Sequence, residues 1–127
     1  MKTSFFLLLL FAVFLLSTLT TACSGDDEGS NNEPANTVTI YEDPGFGGRS
    51  LVLFLQDYNS GECIDLHSLG FADNISSITY DLKPGVKFEV RENQGCQGKI
   101  LSFTDAGTEA SLDDEEMDNL ISSALWR

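Results

Sequence analysis

Two short phrases recur in this chain, and the recurrence limits the fold more than any single residue does. Ala72-Asp73-Asn74-Ile75-Ser76-Ser77 returns 46 residues later as Asp118-Asn119-Leu120-Ile121-Ser122-Ser123. A glycine-bearing hairpin recurs as well, with Gly48 and Gly98 lying 50 residues apart. A period of that length marks a duplicated structural unit rather than a chance match. Short alternating segments surround both signals and read as strands: 37–41, 50–54, 75–80, 87–90, 99–103 and 122–126. Turn signals separate them at Asp43-Pro44-Gly45, Asn59-Ser60-Gly61, Lys83-Pro84-Gly85 and Asn93-Gln94-Gly95. Two stretches, 65–71 and 112–120, lack alternation and read as a short helical turn or irregular loop. Many short strands with almost no helix predict an all-β antiparallel sandwich.

Aligned by sequence, Tyr41 to Ser50 faces Val90 to Lys99. This puts Val90 and Cys96 where Tyr41 and Phe46 stand and leaves one extra residue in the second hairpin. An aromatic-to-glycine hairpin followed about 30 residues later by a Ser-Ser strand resembles the βγ-crystallin Greek key. The resemblance covers residues 36–127 and implies two such motifs, about 36–82 and 83–127, in one βγ-crystallin-like sandwich. It also implies that the first hairpin folds over its sheet with Tyr41 and Phe46 in contact, and that Gly48 takes a positive φ.

The repeated phrase is similar to that family's calcium-binding pattern: acid or amide twice, two free positions, Ser or Thr, then Ser. Asp118 to Ser123 matches throughout, and Ala72 to Ser77 departs only at Ala72. Calcium accepts carbonyls, carboxylates, amides and hydroxyls together in sets of six to eight oxygens. The resemblance implies two crossed sites. One takes the Asn74 carbonyl, the Ser76 hydroxyl and the Asn119 side chain. The other takes the Leu120 carbonyl, the Ser122 hydroxyl and the Asp73 side chain. A carbonyl from each hairpin, near Glu42 and near Arg91 or Glu92, completes them. With at most one carboxylate per site, the affinity expected is low, ~10⁻⁴–10⁻³ M or somewhat tighter. The acidic run Asp113 to Asp118 beside the second phrase either concentrates calcium or is a solvated loop. The competing reading of the phrases themselves is structural: turns whose Ser hydroxyls cap backbone amides.

The first 35 residues read as address and tether. Lys2 precedes an unbroken apolar run from Phe5 to Leu16, which is the length of a signal-peptide core and short for a membrane span. Small residues then lead to Cys23, which resembles a bacterial lipobox except that Leu19 lies one position too early. Residues 1–22 are therefore expected to be a lipoprotein signal peptide and Cys23 the lipidated residue; ordinary secretion with Cys23 left free is the alternative. Residues 23–35 hold no hydrophobe to bury apart from Cys23 and read as a disordered acidic tether. Together these features point to a bacterial outer membrane, with the domain facing outward.

Without Lys2, the remaining six cations oppose twenty acids, a net charge of −14. Such a surface repels nucleic acid and suits cations or basic partners. Cys63 and Cys96, in a secreted chain, are expected to form one disulfide, with two free thiols the alternative. Together with His67 they lack the tight spacing of a zinc site. His67 is the lone histidine, no nucleophile or metalloprotease motif is present, and Asp57, Glu62 and Asp65 form no persuasive catalytic pair. The expectation is a non-enzymatic calcium-binding module. The alternative is an interaction module, such as an adhesin, carbohydrate binder or protease inhibitor.

Overall fold

A computed structural model describes residues 36–127. The signal segment, Cys23 and the tether lie outside the described residues. Eight strands follow one another: β1 (Thr37–Asp43), β2 (Gly47–Phe54), β3 (Ile64–Asp65), β4 (Ser77–Asp81), β5 (Lys87–Asn93), β6 (Gln97–Thr104), β7 (Ala106–Glu109) and β8 (Ser123–Trp126). They form two four-stranded sheets, ordered β2-β1-β4-β7 and β3-β8-β5-β6, and every pairing is antiparallel. The all-β sandwich of two Greek keys is the observed architecture.

Alternation explains which face of each strand is inside. Val38 and Ile40 on β1, Leu53 on β2, Ile78 on β4, and Phe88, Val90, Phe103 and Ala124 on the second sheet are all buried. The intervening residues point outward, as a period of two requires. The stretches without alternation contribute core residues from loops: Leu66 and Phe71 in the first half, Leu112 and Met117 in the second. In each, the later residue's N–H closes onto the earlier carbonyl (Phe71 to Leu66, 3.0 Å; Met117 to Leu112, 2.9 Å). These are buried turns, and neither develops into a helical element.

Two strands were absent from the alternating pattern. β3 and β7 are short, and each leaves its own half: β3 pairs with β8 and β7 pairs with β4. Each half thus lends its third strand to the other's sheet. The two motifs are interlocked, and each sheet is incomplete without the other half.

The hairpins correct one expectation. Each contains a single 3-10 turn, Pro44–Phe46 or Gln94–Cys96, and a register shift at the same place, between Tyr41 and Asp43 or between Arg91 and Asn93. They are equal in length, so there is no extra residue. Arg91, not Val90, stands in the place of Tyr41, because Val90 is fully buried in the core as Ile40 is. Tyr41 and Phe46 do meet edge to face, with ring centroids 5.7 Å apart. In the second hairpin the equivalent of Phe46 is Cys96, which is disulfide-bonded to Cys63. Gly48 has φ +72°, and a Cβ there would lie 2.8 Å from Asp43 Oδ2; Gly98 has φ +81° and the same crowding against Asn93. Only glycine lets these hairpins fold back so closely.

Candidate oxygen-donor site

The two repeated phrases meet at one end of the sandwich. Their backbones exchange reciprocal hydrogen bonds: Asp73 N–H donates to the Ile121 carbonyl (2.8 Å), and Asn119 N–H donates to the Ile75 carbonyl (3.0 Å). Each phrase also binds its own hairpin, Ser76 N–H to the Tyr41 carbonyl (2.9 Å) and Ser122 N–H to the Arg91 carbonyl (3.0 Å). Asp73 (φ 57°) and Asn119 (φ 52°) both adopt the left-handed conformation. Asp and Asn tolerate it better than other side-chain-bearing residues, which explains the residue types found there.

This backbone geometry crosses the side chains. The Ser122 hydroxyl donates to Asp73 Oδ1 at 2.7 Å. The Ser76 hydroxyl approaches Asn119 Oδ1 at 3.5 Å, the looser of the two contacts. Ser76 and Ser122 are buried, while Asp73, Asn74, Asn119 and Leu120 are exposed. Each group is therefore an oxygen pair with a fixed floor and an open rim. Two oxygens held by one calcium ion at ~2.4 Å stand ~3 Å apart, and the observed separations bracket that spacing.

The paired serines divide their labour. The Ser77 hydroxyl donates to the Asp43 carbonyl (2.7 Å) and accepts from Phe46 N–H (3.0 Å). Ser123 does the same between the Asn93 carbonyl and Cys96 N–H. The second serine of each pair is thus the amide-capping residue and fastens its hairpin. The first remains directed at the crossed oxygen. The structural reading of the phrase thus holds for its second serine, and the first serine faces the side chain of the other phrase.

Glu42 and Glu92 fall in the hairpin irregularities, between the registered pairs. Their carboxylates are engaged within the hairpins. Glu42 accepts from Arg49 Nε (2.8 Å) and Arg49 N–H (3.3 Å), and Glu92 accepts from Lys99 N–H (3.2 Å). The Arg49 hydrogen bond holds the Glu42 carboxyl below its ordinary pKa. Each hairpin can therefore offer a main-chain carbonyl more readily than a carboxylate. The Arg91 carbonyl already accepts from Ser122, and the Arg91 side chain is turned to Glu89.

Two further groups carry no local signal in the sequence. Arg49 and Lys99 hold equivalent hairpin positions and reach the loop before each phrase, Arg49 to the Gly70 carbonyl and Lys99 to the Glu115 carbonyl and Glu116. One acid of the 113–118 run is thereby neutralised. Asp118 Oδ2 accepts from Asn119 Nδ2 (2.9 Å), and its Oδ1 is buried without a hydrogen-bond partner. Elsewhere, Asp65 caps the His67 N–H and Glu62 caps Asn59, so both carboxylates serve local turns. Among the described residues no three His, Cys, Asp or Glu side chains cluster as metal ligands. The donor set at this end is made instead of hydroxyls, amides, carbonyls and one carboxylate.

No protein-family model and no curated protein matches the sequence. Solved structures do. The chain is similar to a structure concerned with the evolution of the eye lens βγ-crystallin domain fold, at 20% identity and a TM-score of 0.61, covering 78% of this chain and 93% of that one. A βγ-crystallin from Ciona intestinalis is 27% identical with a TM-score of 0.57, over 72% of this chain and 99% of that one. A βγ-crystallin from an archaeon matches at 24% identity and 0.53, over 72% and 96% respectively. Two interlocked Greek keys, hairpins closed by Gly48 and Gly98, and these structural matches together show that residues 36–127 have the βγ-crystallin fold.

Proposed function

We propose that the domain binds two calcium ions at the crossed oxygen pairs and that the ions stabilise the fold. The observation that carries this reading is the reciprocal geometry: Asp73 with Ser122 at 2.7 Å and Asn119 with Ser76 at 3.5 Å, each pairing an exposed side chain with a buried serine. One site uses Asp73, Ser122, the Leu120 carbonyl and a carbonyl at Arg91 or Glu92. The other uses Asn119, Ser76, the Asn74 carbonyl and a carbonyl at Glu42. When bound, calcium supplies positive charge between two loops and two hairpins, each from a different half. The low carboxylate count places affinity near ~10⁻⁴–10⁻³ M. Anchoring by lipid at Cys23 and outward display from a bacterial outer membrane complete the reading, and a calcium-rich exterior would suit such weak sites.

Isothermal titration of the full chain with calcium tests the proposal, alongside Ser76→Ala and Ser122→Ala. The expected result is two binding events, one lost in each variant, with the Asp73–Ser122 site the tighter. Absence of calcium-dependent heat at millimolar concentrations, or heat unchanged by both substitutions, overturns it.

A further inference from the structure

The outer face of the first sheet carries an ordered field of hydroxyls. Thr37 and Thr39 flank the buried Val38 on β1 and so point away from the core. The register aligns Thr39 with Thr79 on β4, and Thr79 with Thr108 on β7, giving a row of three threonines across three strands. In the next row, Thr37 lies beside Asp81. These residues, together with Tyr80 and Gly107, line a shallow depression of about 280 Å³. None of the four hydroxyls, nor the Asp81 carboxylate, has a hydrogen-bond partner among the described residues. On the adjoining edge strand, Phe54 lies opposite Thr37 and Val52 opposite Thr39, and they are 46% and 44% exposed.

We propose that this face binds a neutral saccharide. A threonine hydroxyl both donates and accepts, which matches the hydroxyls of a sugar without imposing charge. Strands ~4.8 Å apart set those hydroxyls on a grid comparable in size to a pyranose ring. Asp81, an acceptor only, suits a pair of neighbouring sugar hydroxyls. The C–H face of a sugar ring needs an apolar partner, and Phe54 and the threonine methyl groups supply one. Asp81 and the chain's net charge of −13 disfavour acidic glycans and other anions. The volume suits one ring of a longer chain, being just below the range of drug-sized sites. Thr37 and Asp81 lie at the opposite end of β1 from Tyr41, whose carbonyl binds Ser76, so the face is separate from the oxygen-donor site.

The test is calorimetric titration of the full chain, in a detergent without a sugar headgroup, with cellohexaose, chitohexaose and mannohexaose, each with calcium and with chelator. The expected result is measurable binding of at least one oligosaccharide in both conditions. Thr79→Val and Phe54→Ser should each weaken it tenfold or more while leaving the circular dichroism spectrum unchanged. Thr79→Val keeps shape and strand propensity, so loss of binding there reads the hydroxyl and not the fold. Absence of binding by all three sugars at millimolar concentration overturns the proposal, as does binding indifferent to Thr79→Val. Concentration-dependent dimerisation that Phe54→Ser abolishes also overturns it, because the face would then belong to a second copy.

Discussion

Asp73 and Asn119 hold equivalent places but differ in one chemical respect. A carboxylate offers an oxygen whichever way it turns, whereas an amide offers one oxygen and must be held with its nitrogen turned away. Asp118 does this, since its Oδ2 accepts from Asn119 Nδ2 and leaves Asn119 Oδ1 directed at Ser76. The first phrase has Ala72 at that position, and Asp73 has no need of the service. The departure that looked like a defect in sequence is thus matched by the residue type next to it. Asp118→Ala should weaken the site containing Ser76 by roughly tenfold or more, in line with the loss of an orienting partner, and leave the Asp73–Ser122 site nearly unchanged. Two-site calorimetry distinguishes this from equal loss at both sites, which would refute the orienting role.

A second residue-scale prediction concerns Glu89. Alternation along Lys87-Phe88-Glu89-Val90 assigns it to the solvent face, yet it is only 1% exposed. Lys87, Arg91 and Arg127 cover it, at 2.9 Å from Lys87 and 2.6 Å from Arg127. Burial opposes its charged form, but the hydrogen bonds from these three cations prevail and hold the carboxyl at about 2. A pKa depressed on folding stabilises the protein above the unfolded value near 4.5, and that contribution is lost as pH falls from there toward 2. Glu89→Gln should therefore lower stability at pH 7 by up to about 3 kcal/mol, with exposed partners reducing the figure. The gap to wild type should narrow between pH 4.5 and pH 3 in urea unfolding. A pH-independent gap would show that packing, not charge, is what the substitution removes. Arg127 reaches Glu89 only through the pairing of β8 with β5, so no local pattern could have revealed the cage.

At the scale of elements, the long strands and the hairpins were legible because their signals are local: alternation, Gly48 and Gly98, and the Ser-Ser pairs. β3 and β7 were not. Ile64–Asp65 and Ala106–Glu109 are too short to alternate, and each is a strand only because the other half supplies its partner. The hairpin alignment failed for a similar reason. Sequence similarity favoured an offset that put Val90 against Tyr41, while burial of Val90 in the core requires the offset of 50 that the two glycines already showed. The disulfide shows the halves solving one problem differently. Phe46 holds the first hairpin by aromatic contact with Tyr41, and Cys96 holds the second covalently to the loop at Cys63. Closing a loop of 33 residues stabilises by ~3–4 kcal/mol in the chain-entropy model. Reduction should lower the urea midpoint accordingly. It should also speed amide exchange in residues 94–99 more than in 44–49; equal acceleration in both hairpins would contradict an anchoring role confined to the second.

At the scale of the whole molecule, the two halves are joined by exchanged strands at their edges and by crossed oxygens at one end. A cation at either pair would bridge the halves and offset repulsion in a strongly acidic chain. Binding to the folded state alone adds stability by mass action, ~2.7 kcal/mol at a hundredfold excess over the dissociation constant. The most direct test of this account is thermal melting of the full chain in millimolar calcium and in chelator. Calcium should raise the midpoint by several degrees, and most of the shift should vanish in the Ser76→Ala, Ser122→Ala double variant. Coincident melting curves for the wild-type chain with calcium and with chelator would contradict it.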